Sequence, residues 1–492
     1  MTWLEYHERT KHSRESLQRT RHYLDWANMP NPFRHYEGTP ILDLPADPPP
    51  PEIRAHEVLD GKIGSSSTAD GARFLSQLMF YSASISAAKR APATGAIYSL
   101  RVNPSSGNLH PTEFHFCAKG LANWPDGLYH YRPSSHMAEQ RATGDFVPAL
   151  FDQSAPLIFV LTTIAWREAW KYKARAYRYC LHDIGHAWQA LTLAARAMGC
   201  ETFSIGHFPD DRVAESYLLS ADEWPMLIVG IQGSAVPQRD LDRARSVIYG
   251  GEPNRLSNEP ISYPLIEGVH AATKLGAGAT IPHAPQTKES GRGEISLPPL
   301  VSTTRTFGEV VRRRRSALDF IGGDRSISFF ELSTLLQSTK GPLVADFAAI
   351  RFVHLYLYVH RVEGLIPGVY SYWPEHGELE KIKEGDQRLA AAALSLGQDL
   401  AGNACVAFSM VGDFESAARK YGDRGYRYVH FEAGSMGQRM YLAAEALGLG
   451  ATGIGAFFDD EVNRYLGIDP ERGQVVYHFA IGYPVADPRL EA

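Results

Sequence analysis

Two short runs in this sequence carry residue types that could bind a flat, charged ligand. The first is Arg101-Val-Asn-Pro-Ser-Ser-Gly-Asn-Leu-His-Pro111, set between an apolar segment and a strand-like run. Pro104, Gly107 and Pro111 force a loop. Ser105, Ser106 and Asn108 offer hydroxyl and amide groups, and a compact turn can also present its backbone N–H groups. Such a loop can hydrogen-bond the heteroatom edge of a planar ring, although a polar surface turn is the plainer reading. The second run is Arg312-Arg313-Arg314-Arg315-Ser316, followed by Ala-Leu-Asp319-Phe320. Adjacent arginines before a serine suit a dianionic phosphate, which guanidinium groups grip with paired donors. A solvated charge run is the plainer alternative.

The elements that position these runs come in duplicate. Residues 172–213 align with residues 421–462 without a gap at an offset of 249. The identical pairs include Tyr172/Tyr421, Arg175/Arg424, Arg178/Arg427, Gly185/Gly434, Gly206/Gly455 and Asp210/Asp459. Upstream, Asp126-Gly-Leu-Tyr-His-Tyr131 matches Pro367-Gly-Val-Tyr-Ser-Tyr372, each after an apolar strand-like run, so each half is expected to open with a hairpin. A further apolar strand, a long helix and a final strand follow in both halves. This order predicts an α+β fold of α/β layers, with helices packed on a sheet. In 426–449 the apolar positions fall at helical spacing, and Gly434, Ser435 and Gly437 permit close helix approach, as a dimer core requires. An ordinary buried helix fits that periodicity equally well.

The expected organisation is an N-terminal arm over 1–55, a first unit over 56–250, a linker over 251–300 and a second unit over 301–492. The linker assignment rests on Gly, Pro, Ser and Asn content, which punctuates against regular structure. The arm begins with a predicted helix and ends in a proline run. It could dock a partner or strap the halves together.

Composition bounds the function. At 492 residues with 44% hydrophobic and 21% charged residues, the chain has material for two cores. A net charge of -6 argues against a nucleic-acid binder. Cys117, Cys180, Cys200 and Cys405 show neither metal-ligand nor redox spacing. They read as buried apolar residues in a reducing compartment, and no metal is expected. The charged N-terminus lacks an apolar core, and no run approaches the length of a spanning helix, so a cytoplasmic location is expected.

The halves differ where the chemistry lies. The stretch of the second half corresponding to the 101–111 loop, Gly341-Pro-Leu-Val-Ala-Asp-Phe-Ala-Ala-Ile-Arg351, has no Pro-Ser-Ser-Gly-Asn run. The first half has no arginine run upstream of the segment around Phe74–Tyr81. Each half thus keeps one part of a site that only the two together could complete.

On these motifs the chain resembles the nitroreductase superfamily, and within it the SagB-type (azoline) dehydrogenases, in a tandem-duplicated form. Arg314-Arg315-Ser316 resembles the superfamily's phosphate motif. Arg101–Pro111 resembles its Pro-Ser-Ser flavin loop, and the block from Lys420 to Gly455 its long helix and flavin-contacting turn. The resemblance implies an FMN-binding fold with the flavin at a dimer interface, here between the two halves of one chain. It implies cofactor contacts from Arg312, Arg313, Arg314, Ser316, Gly455 and Ala456 in the second half. Arg101, Pro104, Ser105, Ser106 and Asn108 would come from the first. It therefore implies one functional FMN per chain and one degenerate site. The family's catalytic Lys-Tyr pair matches both Lys171-Tyr172 and Lys420-Tyr421, of which the first is favoured because it belongs to the loop-bearing half.

The activity so implied is FMN-dependent oxidation of a peptide-derived or small heterocyclic substrate by hydride transfer to flavin. Azoline dehydrogenases commonly act beside a cyclodehydratase partner. The rival readings are an NAD(P)H-dependent nitro or quinone reductase and a non-catalytic flavoprotein scaffold or sensor. No Gly-x-Gly-x-x-Gly loop opens a helix, so NAD(P)H, like O2, would enter as a transient co-substrate.

Overall fold

The computed structural model describes residues 1–19, 23–66, 68–92, 94–144, 155–240, 246–278 and 291–490. Two antiparallel sheets repeat one topology. In the first, the main strands run in the order Met137–Thr143, Gly127–Arg132, Thr112–Ala118, Leu157–Thr163, Trp224–Gln232 and Glu201–Ile205. In the second, Glu378–Glu384, Gly368–Trp373, Val353–Val359, Val406–Gly412, Gln474–Gly482 and Gly450–Ile454 take the same places. The central strands Leu157–Thr163 and Val406–Gly412 are buried at every residue, as expected of strands covered on both faces. Both hairpins form, but Gly127 and Gly368 begin the second strand of each rather than its turn. A Cβ on Gly127 would strike the Ala142 carbonyl at 2.2 Å, so glycine lets the neighbouring strand come close.

The long helices, Ala176–Ala197 and Gly425–Ala446, cross at the centre of the molecule. A Cβ on Gly185 would meet the Phe431 carbonyl at 2.3 Å, and one on Gly434 the His182 carbonyl at 2.2 Å. The paired glycines let the two backbones touch. Apolar surface from both halves merges there into one buried core, including Leu181, Ile184, Val429 and Phe431.

Reciprocal ion pairs flank this crossing. Asp459 of the second half accepts from Arg175 at 3.0 Å and Arg178 at 2.8 Å. Asp210 of the first accepts from Arg424 and Arg427, both at 2.8 Å. All six groups are buried, so removing any one would strand charge in a low-dielectric core.

The stretch over 251–300 departs from the expected irregular linker. It contains a helix, Pro264–Thr273, begun by a proline at its first turn, where proline's missing N–H costs nothing. Ile266 and Val269 are buried. The Thr273 hydroxyl and carbonyl accept from Arg427 at 2.8 Å and Arg424 at 3.0 Å. The flanking Gly and Pro obscured this ten-residue amphipathic run. Residues 279–290 of that stretch lie outside the described residues.

The arm straps the halves together. Its helix, Trp3–Arg9, is closed by a capping box from Thr2 and Glu5. The Tyr6 hydroxyl donates to the Ala174 carbonyl of the first half at 2.7 Å, while the Trp3 N–H donates to Asp423 of the second at 3.0 Å. Among the described residues no helix is long and apolar enough to cross a membrane.

Candidate functional site

The 101–111 loop is shaped by its own polar side chains. Gly107, Asn108 and His110 all take positive φ, at 58°, 61° and 51°. Glycine does so freely and asparagine more readily than most residues. The Asn108 amide donates to the Ser99 carbonyl at 3.0 Å, and the Ser105 hydroxyl accepts from the His110 N–H at 2.8 Å. From the long helix, Asp183 accepts from the Ser106 N–H at 3.1 Å and from the Ser106 hydroxyl at 3.1 Å.

The arginine run begins within a short helix, Phe307–Arg313, started by a Thr306–Glu309 capping box. It meets the loop from the other half. Arg314 is buried, and its Nε and Nη2 donate to the carbonyls of Val102 and Arg101, both at 3.0 Å. Its Nη1 is buried with no recorded hydrogen-bond partner. Burial pulls the Arg314 guanidinium down to about 10. Arg315 reaches across to the Ser86 carbonyl at 2.9 Å. The Ser316 hydroxyl pairs with Tyr441 at 2.8 Å, and Tyr441 in turn accepts from the Gly453 N–H at 2.9 Å.

Loop and run enclose a cavity of about 330 Å3 between the halves. The first half contributes Arg101, Pro104, Ser105, Ser106, Asn108, Tyr172, Tyr179 and Asp183. The second contributes Arg314, Arg315, Ser316, Tyr441, Gly453, Gly455 and Ala456. Arg101 shares the wall, although its guanidinium Nη2 is anchored outward on the Pro32 carbonyl at 2.7 Å. Arg312 and Arg313 stay outside. Arg312 lies over the Phe80 ring at 4.0 Å and donates to Ser84 at 2.8 Å, while exposed Arg313 pairs with Glu445 at 3.5 Å. Lys171 lines an adjoining cavity. Lys420 and Tyr421 line neither, and the Tyr421 hydroxyl donates instead to the Phe347 carbonyl at 3.4 Å.

The mirror position is built differently. Counted back from the equivalent strands Thr112–Ala118 and Val353–Val359, Asp346 and Phe347 stand where Ser105 and Ser106 stand in the first half. The Asp346 carboxylate accepts from the Gly206 and His207 N–H groups at 2.8 and 3.1 Å. These groups are the counterparts of Gly455 and Ala456. Phe347 lies flat on Tyr428, the counterpart of cavity-lining Tyr179, with centroids 4.2 Å apart. Asp60, Gly61, Lys62 and Ile63, after the helix Ala55–Leu59, replace the arginine run there. A groove lined by Gly61, Ile63 and Arg196 remains at that end.

The nitroreductase family model matches twice, at residues 82–233 and 312–483, together well over half of the chain. The chain belongs to the nitroreductase family. Members of this family are FMN-dependent oxidoreductases, and this chain carries two copies of their domain. It is similar to the crystal structure of an Anabaena variabilis protein described as a nitroreductase. The TM-score is 0.77 at 27% identity, covering 98% of this chain and 99% of that one. A Methanocaldococcus jannaschii protein whose name places it among the nitroreductases is 34% identical over 184 residues, 36% of this chain and 90% of its own length. The microcin B17-processing protein McbC of Escherichia coli is 29% identical over 146 residues, 27% of this chain and 54% of its length. The likeness to McbC fits the SagB-like form of the superfamily.

The residues that sequence reasoning missed lie on the helices behind the loop. Asp183 aligns with Glu432, a carboxylate kept in both halves within a helix whose neighbouring positions differ, and that shared acid was the available signal. Burial raises Asp183 to about 7, even though the Ser105 and Ser106 donors oppose the shift. Nearby Glu168 is fully buried, with no recorded hydrogen-bond partner for either carboxyl oxygen. Burial and the neighbouring Asp183 push its pKa well up. The cavity therefore combines an arginine-rich end, a hydroxyl-rich loop and an acid that titrates near neutrality. The unpartnered Arg314 Nη1 and the cationic corner suit a phosphate, and the loop's hydroxyl and amide groups suit the heteroatom edge of a ring, so the donor set fits FMN.

Proposed function

We propose that the chain is an FMN-dependent dehydrogenase of SagB type, acting through one flavin held between its halves. The observation that carries this reading is the asymmetry of the two interface positions. One is a cavity walled by the Ser105–Asn108 loop and by Arg314–Ser316. At the other, Asp346 and Phe347 occupy the ring end. Arg314, Arg315 and Ser316 hold the phosphate, Ser105, Ser106 and Asn108 border the ring, and the Gly455–Ala456 turn closes over it. Bound FMN supplies the hydride acceptor.

The chain's own residues handle protons and orientation. Lys171 takes the proton that accompanies hydride loss from a peptide-derived or small heterocyclic substrate, and Tyr172 on the cavity wall, whose buried phenol keeps its own proton, donates a hydrogen bond beside it. Asp183 fixes the loop through Ser106 and holds a proton behind it. Likeness to McbC, a processing protein, supports dehydrogenation over nitro or quinone reduction and makes a cyclodehydratase the partner to look for.

Anaerobic titration of the flavin-loaded protein separates the readings. Bleaching of the flavin absorbance by a thiazoline-containing substrate, without NADPH, supports the dehydrogenase. Bleaching by NADPH alone, followed by reoxidation with a nitroaromatic, favours the reductase. A colourless protein would refute both.

A further inference from the structure

A second cavity, also about 330 Å3, adjoins the first, and the two share Lys89, Leu100, Gly107 and Asn108 as a common wall. Part of its outer wall comes from outside the duplicated unit. The arm supplies Leu24, Trp26 and Met29, and the C-terminal tail supplies Arg489. Trp26 meets Trp170 edge to face at 5.2 Å, and the Trp170 indole N–H donates to the Asp25 carbonyl at 2.8 Å. The tail is fastened to the hairpin Ile85–Arg101, where the Arg90 N–H donates to the Arg489 carbonyl at 2.8 Å.

The chemistry of these walls is aromatic and cationic. Indoles accept flat rings by stacking or edge contact. Lys89, Arg90, Lys171 and Arg489 all line the space, and among the described residues no carboxylate does. Among the described residues Lys89 and Arg489 share one counter-ion, Asp487, each at 2.8 Å, so two cations face one carboxylate there. Lys171 faces this cavity while the adjacent Tyr172 faces the first, so a ligand at the junction touches both. The volume lies at the lower end of the small-molecule range. A space of that volume holds one ring system rather than an extended peptide.

Resting on the flavoenzyme reading above, we propose that this side cavity is the substrate seat. Its substrate is a small aromatic or heteroaromatic molecule carrying a carboxylate, not a long peptide. The ring lies between Trp26, Trp170 and the common wall, and the carboxylate faces Arg489 and Lys89.

The test uses the full chain loaded with FMN, titrated with benzoate and with benzyl alcohol. Tryptophan fluorescence and flavin absorbance report binding. Benzoate is expected to saturate with a Kd at least tenfold below that of benzyl alcohol. Arg489→Gln should raise the benzoate Kd at least threefold and leave that of benzyl alcohol within twofold, whereas Trp26→Ala should weaken both. Equal affinity for the acid and the alcohol, or no saturable change with either, overturns the proposal. Flavin content measured on the same samples separates the two levels. Flavin bound without preference for the acid refutes the substrate class alone, whereas protein unable to hold flavin refutes the reading beneath it.

Discussion

Phe347 lies on Tyr428 with ring centroids 4.2 Å apart and planes 7° from parallel. In the other half the counterpart tyrosine, Tyr179, lines the cavity. A side chain of the protein thus stacks where, by pseudo-symmetry, a second planar ligand would. Phe347→Ala should leave a void and cost about 3–5 kcal/mol, read as a lower denaturation midpoint. The amount of bound flavin should not rise, because Asp60–Ile63 supply no arginine clamp on that side. A variant that gains a second equivalent of flavin would show that Phe347 alone closes the position.

The arginine run divides by burial. Arg314 is buried against both halves and carries an unpartnered donor, whereas Arg313 is exposed and paired with Glu445. A lost charge-assisted bond to phosphate is worth about 1.5–3 kcal/mol. Arg314→Ala should therefore weaken FMN roughly 10- to 150-fold by equilibrium dialysis. Arg313→Ala should change it less than about threefold, since exposed ion pairs contribute about 0–1 kcal/mol. Equal losses would misplace the phosphate.

The two Lys-Tyr pairs are sequence equivalents in different surroundings. Tyr172 lines the cavity with Lys171 alongside, while Tyr421 bonds to the Phe347 carbonyl. Lys171→Ala, with flavin retained, should lower kcat by about 10²–10⁴, the usual range for a lost acid–base group. Lys420→Ala should leave kcat within a few-fold. The reverse ranking would move the reacting centre to the other side of the interface.

Asp183 makes stability depend on pH. Its pKa is about 7 in the fold and about 4 in an unfolded chain, so between those values only the native state holds the proton. The contribution is fully present below pH 4 and is lost as pH rises towards 7. That difference corresponds to about 4 kcal/mol. Thermal melts should fall between pH 5 and pH 8 in the parent protein, and Asp183→Asn should flatten that fall. Equal slopes in both proteins would mean that Asp183 is ionised throughout.

Much of this was legible in sequence because duplication left its own internal control. Asp210/Asp459, Arg175/Arg424 and Arg178/Arg427 appeared as identical pairs, and they proved to be reciprocal clasps between the halves. The Ser105–Asn108 loop and Arg314 were visible as motifs, and the fold brings them to one cavity. The Pro264–Thr273 helix was not visible, because its glycine- and proline-rich flanks dominate local composition. Nor was the role of Asp346 and Phe347, an ordinary dipeptide whose significance depends on which backbone N–H groups it meets across the interface. Asp183 and Glu168 escaped notice because burial, not residue type, gives them their protonation behaviour.

The central claim is a single flavin shared by two unlike halves. Its most direct test is the molar ratio of FMN to polypeptide after saturation and gel filtration, with FMN quantified by absorbance once released. The account predicts a ratio near one, falling towards zero in Arg314→Ala. A ratio near two in the parent protein would contradict it.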